Sequence, residues 1–235
     1  MSKLKIHYIQ HVPYEGIGCI DYWAQAKGHI LTSTKIYEET KVYPPLESFD
    51  WLIVMGGPMS VNEPEKNPWM AEEKKFIHEA IKKNKVVIGI CLGSQIVASV
   101  LGAKVSPNEK KEIGWFDVKL TDAAQQHDAF NMFPESFKTF HWHGETFDLP
   151  RHATLLMSSQ ACKHQAFIHG KRTIGLQFHL EATQAGIKDM IENHKHELGS
   201  DDFVQTEEQI MEQSNLVTEN HERMRLWLNK LSDIL

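Results

Sequence analysis

The chain has 235 residues, 41% of them hydrophobic and 24% charged, with a formal net charge of −6 at pH 7, which fits a globular protein with one large core. The negative balance and the lack of a Lys/Arg stripe argue against nucleic acid or an anionic membrane as a partner, and no apolar run reaches membrane-spanning length. Three cysteines without a C-x-x-C pair indicate neither a disulfide framework nor a zinc knuckle, and "MSKLKIHYIQ" turns polar too soon for a secretory signal, so a cytosolic location is expected.

In chain order, Leu4 to Ile9 alternates as a first strand, "GCIDYWAQAKG" predicts a helix ending at Gly28, and "DWLIVMGGP" predicts a buried strand stopping at Gly56-Gly57-Pro58. "NPWMAEEKKFIHEAIKKNK" predicts a helix capped by Asn67, with Pro68 in its first turn and Met70, Phe76, Ile77, Ala80 and Ile81 as its apolar stripe. The unbroken run Val86-Val87-Ile88 predicts a strand buried on both faces, followed by Ile96, Val97, Val100 and Leu101 at helical spacing. Strand alternating with helix is the pattern of a parallel sheet covered on both sides.

From Glu112 to Glu181, short alternating stretches separated by Asp, Asn, Pro and Gly predict antiparallel strands and hairpins attached to that core. From Ala182 the chain is polar and helix-forming; Met224, Leu228 and Leu231 share one stripe, with Trp227 and Ile234 beside it, and this stripe must be buried somewhere. The expected division is residues 1–182 as one α/β domain and 183–235 as a helical extension packed on it.

Cys91 sits between Gly89 and Gly93, where the strand pattern turns into the helical one. A nucleophile on such an elbow is exposed by the tight turn. The helix start beyond it favours a thiolate, and the N–H of Leu92 is placed to donate to an oxyanion. The pentapeptide alone fits a cysteine packed into a glycine-rich strand end equally well. A base and its orienting acid are offered by "GLQFHLE": His179 and Glu181 are two apart at the end of a predicted strand and leave on the same face. Gly57 offers a second oxyanion donor, although Gly56-Gly57 also reads as a simple turn.

Together, Gly89-Ile90-Cys91-Leu92-Gly93-Ser94-Gln95, Met55-Gly56-Gly57-Pro58 and Gln177-Phe178-His179-Leu180-Glu181 resemble the class I (triad) glutamine amidotransferases. "EIGW" at 112–115 and "HWHGETFDLP" at 141–150 are most similar to the glutaminase domain of GMP synthase and its stand-alone relatives. The resemblance implies a flavodoxin-like α/β sheet, and a reaction in which Cys91 attacks the carboxamide carbon of glutamine. His179 would move the proton, Glu181 would orient His179, and Gly57 and Leu92 would form the oxyanion hole. Gln95 and the segment Trp142-His143-Gly144 match substrate-holding positions.

Where the family commonly has proline between the triad His and Glu, this chain has Leu180. No glycine-rich phosphate loop of an ATP-pyrophosphatase domain is found, so an acceptor or synthase subunit in trans is the expected partner. A free-standing hydrolase of γ-glutamyl peptides or conjugates, or a glutaminase silent until a partner docks, are the alternatives. No cofactor is required for the hydrolytic step. His141 and His143, and likewise His194 and His196, are spaced i, i+2 but have no evident carboxylate or cysteine partner in the sequence, so no metal site is assigned. Trp23, Trp51, Trp115 and Trp227 are expected in the core.

Overall fold

Apolar and β-branched runs set the strands of the computed structural model, which describes residues 3–199 and 201–235. β1 (Lys5–Gln10), β2 (Ile30–Lys35), β3 (Trp51–Val54), β4 (Val86–Ile90), β5 (Val105–Leu120), β6 (Ser136–Phe147), β7 (Ala153–Ser159), β8 (Ala166–His169) and β9 (Thr173–Leu176) form one sheet, ordered β2-β1-β3-β4-β9-β8-β7-β5-β6. From β2 to β9 neighbours are parallel, and from β9 to β6 they are antiparallel. This is the α/β architecture expected from the sequence, a parallel core extended by hairpins.

Every residue of β3 and β4 is buried, and alternate side chains serve opposite faces. Ile6, Trp51, Ile53, Ile88 and Ile90 pack with α1 (Cys19–Lys27) and α7 (Leu216–Ile234); Ile9, Leu52, Val54 and Val87 pack with α2 (Met70–Lys82) and α3 (Leu92–Val100). A short α4 (Asp122–Gln125) joins the first group, while α5 (Gln184–His194) and α6 (Glu207–Glu212) cover β5 and β6. The four tryptophans assigned to the core are all buried.

α1 ends at Gly28, whose left-handed φ of 68° closes the helix onto Ala24 O and Gln25 O. α2 departs from the expectation: Asn67 and Pro68 form a turn, the helix starts at Met70, and the Asn67 amide donates to Glu63 O rather than capping. β2 has no clear sequence signal because it is an edge strand, polar and largely exposed, pairing only with β1.

The C-terminal stripe is buried as its pattern requires. Met224, Trp227, Leu228 and Leu231 are all 0% exposed, each worth roughly 1.5–3 kcal/mol of burial. Trp23 Nε1 donates to Asn229 Oδ1 at 3.0 Å, fastening α7 to α1. Ile234, expected beside the stripe, is exposed instead.

The carboxyl ends of β1, β3 and β4 bring residues 11–18, residues 55–60 and Cys91 to one edge of the sheet, the usual place for a site in such folds. β9 stops at Leu176, three residues before His179, so the His-x-Glu pair lies beyond the strand and not at its end. The chain stays extended there because His179 N–H donates to Phe140 O at 2.8 Å.

Candidate active site

Cys91 is the N-cap of α3 and holds φ 51°, ψ −113°, a conformation that non-glycine residues rarely adopt. Its N–H is fixed to Leu176 O at 2.8 Å. The flanking glycines are required by contact. A Cβ on Gly93 would overlap Val54 O, and one on Gly89 would come within 2.5 Å of Gly93 O and 2.7 Å of Ser94 N. The helix start is thereby pressed directly onto the ends of β3 and β4, presenting the Cys91 side chain to a cavity lined also by Gly57, Gln95 and residues 142–145.

His179 Nδ1 and Glu181 Oε1 are 2.7 Å apart, and both residues are 3% exposed. Glu181 is itself held from behind, since Cys19 N–H donates to Glu181 O at 2.9 Å and a Cβ on Gly18 would overlap that carbonyl. The other ring nitrogen, Nε2, is buried with no hydrogen-bond partner. Burial disfavours charge on this imidazole, but the Glu181 carboxylate and the Cys91 sulfur outweigh it and hold its pKa well above the usual histidine range. A buried nitrogen left unpaired costs about 1–3 kcal/mol, a cost compatible with a partner that is present only during reaction.

Gly56 is the meeting point. A Cβ there would overlap Glu15 Oε2 and lie 3.2 Å from His179 Cε1 and 3.5 Å from Cys91 Cβ. His11 sets the orientation of the next peptide: its Nδ1 lies 3.0 Å from Gly56 O and its Nε2 lies 3.0 Å from Glu73 Oε1, with both side chains 0% exposed. In a trans peptide C=O and N–H point opposite ways, so fixing Gly56 O aims the Gly57 N–H away from His11. The N–H groups of Gly57 and Leu92 have no hydrogen-bond acceptor among the described residues. Gly57 and Leu92 are in contact, with Leu92 Cδ2 3.2 Å from where a Gly57 Cβ would stand.

Gln95 Nε2 donates to Glu145 O at 3.1 Å and to Gln177 Oε1 at 3.2 Å, tying α3 to the end of β6. The Cys91 thiol donates to Trp142 O at 3.5 Å, and Gln177 Nε2 lies 3.7 Å from Cys91 Sγ. Trp142 Nε1 is buried and unpartnered. His143 lines the cavity, but both its nitrogens are engaged, Nδ1 with Glu145 O at 3.0 Å and Nε2 with Glu112 Oε2 at 3.2 Å.

Glu112 corrects the expectation that the His141/His143 pair lacks a carboxylate. Glu112 faces His143 in the β5–β6 register, and the three residues place donor atoms within 4.8 Å of one another, all buried. Ser159 Oγ at 3.1 Å and Gln165 Nε2 at 2.5 Å donate to the same Glu112 Oε2. These bonds brace Glu112 Oε2 behind residues 142–145, while Glu112 Oε1 and His141 Nε2 stay buried without a partner. His194 also meets a carboxylate, its Nδ1 lying 3.6 Å from Glu197 Oε1, while its Nε2 bonds the Tyr14 hydroxyl at 2.8 Å.

Sequence reasoning missed Glu15, His11 and Glu73, and gave no role to Glu112 and Gln177 although both fall inside the quoted motifs. Tyr14-Glu15-Gly16, in a Gly/Pro loop after the first strand of a parallel sheet, is the one local signal that pointed toward the site edge. The others depend on strand register or on contacts between distant elements.

The chain as a whole is similar to known proteins. Residues 23–198 match the family model described as glutamine amidotransferase class-I. The chain is 32% identical over 198 residues to a putative glutamine amidotransferase-like protein, YfeJ, of Salmonella typhimurium, covering 83% of each protein. It is 33% identical over 163 residues to one of the subunits of the glutamine-hydrolyzing GMP synthase of Sulfolobus acidocaldarius, covering 67% of this chain and 79% of that one. A crystal structure of a glutamine amidotransferase from Thermotoga maritima superposes with a TM-score of 0.88 at 31% identity, covering 98% of this chain and 99% of that one.

Proposed function

The chain belongs to the class I glutamine amidotransferase family, and from that premise we propose that it hydrolyses the γ-amide of glutamine or a related γ-glutamyl compound through Cys91, His179 and Glu181. The observation that carries the reading is the buried, unpartnered Nε2 of His179, backed on its other nitrogen by Glu181 and brought to Cys91 across Gly56. A histidine held this way can exchange a proton with the sulfur and with a departing amine but has no structural use for that atom.

In this reading the Cys91 sulfur attacks the γ-carbonyl carbon, and the N–H groups of Gly57 and Leu92 receive the developing oxyanion. The imidazolium of His179 gives its proton to the leaving nitrogen as the C–N bond breaks. Water, deprotonated by the same Nε2, then cleaves the γ-glutamyl thioester and releases glutamate. Glu181 keeps the ring oriented and offsets its charge in both halves. Gln95 and residues 142–144 shape the glutamyl side. Residues 1–182 form the working unit, with 183–235 as its helical cover, and an acceptor or synthase subunit in trans would consume released ammonia.

A free-standing hydrolase of γ-glutamyl conjugates is the second reading; a second cavity, lined by Glu15, His179 and Glu181, lies beside the site. Glutamate release from glutamine and from γ-glutamyl amides by the wild-type chain and Cys91→Ala tests the assignment. The expected result is turnover that falls about a thousandfold or more in the variant. Equal rates in the two proteins, or no thioester trapped on Cys91 with any donor, would overturn it.

A further inference from the structure

Two consecutive residues at the end of β9 clamp Cys91. Leu176 O accepts the Cys91 N–H at 2.8 Å, and the next side chain, Gln177, sets its Nε2 3.7 Å from Cys91 Sγ. Gln177 and His179 are two apart on the extended segment, so both leave on the face that meets Cys91. Gln177 is 0% exposed, which keeps water from standing in for a protein partner.

A chain of donors fixes the orientation of this amide. A backbone carbonyl only accepts, so Gln95 must turn its NH2 group to Glu145 O, 3.1 Å away. The same NH2 group lies 3.2 Å from Gln177 Oε1, which leaves the Gln177 NH2 group facing the sulfur. Among the described residues, Cys91 Sγ is its one acceptor. A neutral thiol accepts weakly, and a buried amide N–H aimed at one is poorly satisfied. A thiolate satisfies it with a charge-assisted bond. The thiol proton is placed on Trp142 O at 3.5 Å, and once it has gone that carbonyl oxygen faces an anion. No lysine or arginine lines the cavity onto which Cys91 opens, so His179 and Gln177 are the side chains left to offset the charge.

We propose that Gln177 is a further catalytic residue, the donor that holds negative charge on the Cys91 sulfur before attack and receives it again when the γ-glutamyl thioester is cleaved. The proposal rests on the hydrolytic reading of Cys91, His179 and Glu181. As sulfur bonds the γ-carbon its electron pair is spent and the Gln177 bond weakens, while the nitrogen leaves with a proton from His179. Water then adds to the carbon and gives a proton to His179. The C–S electron pair returns to sulfur, where the Gln177 N–H meets it. Gln177 keeps both of its amide protons throughout. Because Gln95 turns this amide, the support of the nucleophile is tied to the residue that shapes the glutamyl side.

Alkylation of Cys91 by iodoacetamide reads the sulfur without a substrate, with Cys91→Ala as the blank for the other cysteines, Cys19 and Cys162. Gln177→Met keeps the length and removes the donor. Its alkylation rate at pH 7 should be about tenfold below that of the wild type, the effect of one charge-assisted contact. At pH 10, above the ordinary thiol range, the two rates should agree within about twofold. The kcat for glutamate release should fall about tenfold with KM nearly unchanged. Gln177→Glu has the same shape with an acceptor in place of the donor, and should be slower still at pH 7. Should neither variant fold, Gln95→Met, which frees the Gln177 amide to turn, should lower the alkylation rate about threefold. Equal rates at pH 7 would overturn the proposal. So would a deficit undiminished at pH 10, since a displaced sulfur stays displaced at any pH, or a rise in KM with kcat unchanged. Failure of the reading beneath it looks different. Alkylation that depends on Gln177, without Cys91-dependent turnover of any donor, would uphold the bond to sulfur and sink the hydrolysis, whereas turnover with alkylation indifferent to Gln177 would do the reverse.

Discussion

Two buried histidine–carboxylate pairs lie on either side of Gly56, and they differ at one atom. His11 spends both nitrogens, one on Glu73 at 3.0 Å and one on Gly56 O at 3.0 Å. His179 spends one, on Glu181 at 2.7 Å, and leaves Nε2 open. In both, burial opposes the imidazolium and the carboxylate more than compensates, so both pKa values are raised. Charge stabilisation therefore does not distinguish a reactive histidine from a scaffolding one. What distinguishes His179 is an unspent nitrogen on a ring that meets Cys91 across Gly56, since His141 Nε2 is also buried and unpartnered.

The largest expected effect breaks the open pair. His179→Gln retains an amide that can bond Glu181 but has no group to move a proton, so kcat should fall about a thousandfold. Glutamate release at a tenth of the wild-type rate or more would remove His179 from the chemistry. The closed pair should respond differently. His11→Gln leaves the buried Glu73 carboxylate without its cationic partner, costing about 3–5 kcal/mol of stability. Loosening of the Gly57 N–H should also lower kcat about 10- to 100-fold with little change in KM. The double variant His11→Gln/Glu73→Gln should recover much of the stability and none of the kcat. If kcat returns with stability, His11 does not position the oxyanion donor.

A third group sharpens the contrast, because in it the carboxylate is the hub. Burial would raise the Glu112 pKa, but His141 and the bonds from His143 and Ser159 bring it down to about 2. A carboxyl lowered in the folded state contributes stability that is full above its unfolded pKa and is lost as pH falls toward 2. Glu112→Ala should therefore destabilise the fold by about 2–4 kcal/mol at pH 7, measured by urea unfolding. The difference from wild type should shrink on acidification below pH 4. A constant difference from pH 7 to pH 3 would show that packing, not charge, is what Glu112 supplies.

Much of the site was legible in the sequence because the elbow is local. Gly89, Cys91 and Gly93 are bound to one turn, and each glycine answers to a backbone atom within a few ångströms. His179 and Glu181 were legible as a pair for the same reason, two residues apart on an extended segment. Glu112 and His143 were not, since they meet only through the β5–β6 register, 31 residues apart in sequence. Neither were His11 and Glu73, 62 residues apart, which join a strand end to a helix. β2 was missed because an edge strand with one neighbour needs no apolar pattern. Asn67 was misread as a cap because the turn at Pro68 delays the helix by two residues, a distinction that composition does not carry.

His7 supplies the smallest and cleanest departure from the two pairs, being buried with no carboxylate at all. Its ring nitrogens bond Thr32 Oγ1 at 2.9 Å and Thr34 Oγ1 at 3.0 Å across the β1–β2 register, and it is 2% exposed. Burial without a counter-charge lowers its pKa to about 4. Between that value and the unfolded value near 6.5, the unfolded chain holds a proton that the folded chain does not. Stability is therefore unaffected above pH 6.5 and declines as pH falls through the interval to 4, by about 1–2 kcal/mol at pH 5. Glutamine at this position can bridge the same hydroxyls without titrating. Urea unfolding at pH 7 and pH 5 should show the wild type losing that much more than His7→Gln, with other titrating groups common to both proteins. Equal losses would mean that the threonine hydroxyls hold the imidazolium as well as the neutral ring, and that burial alone does not set the charge of a histidine in this sheet.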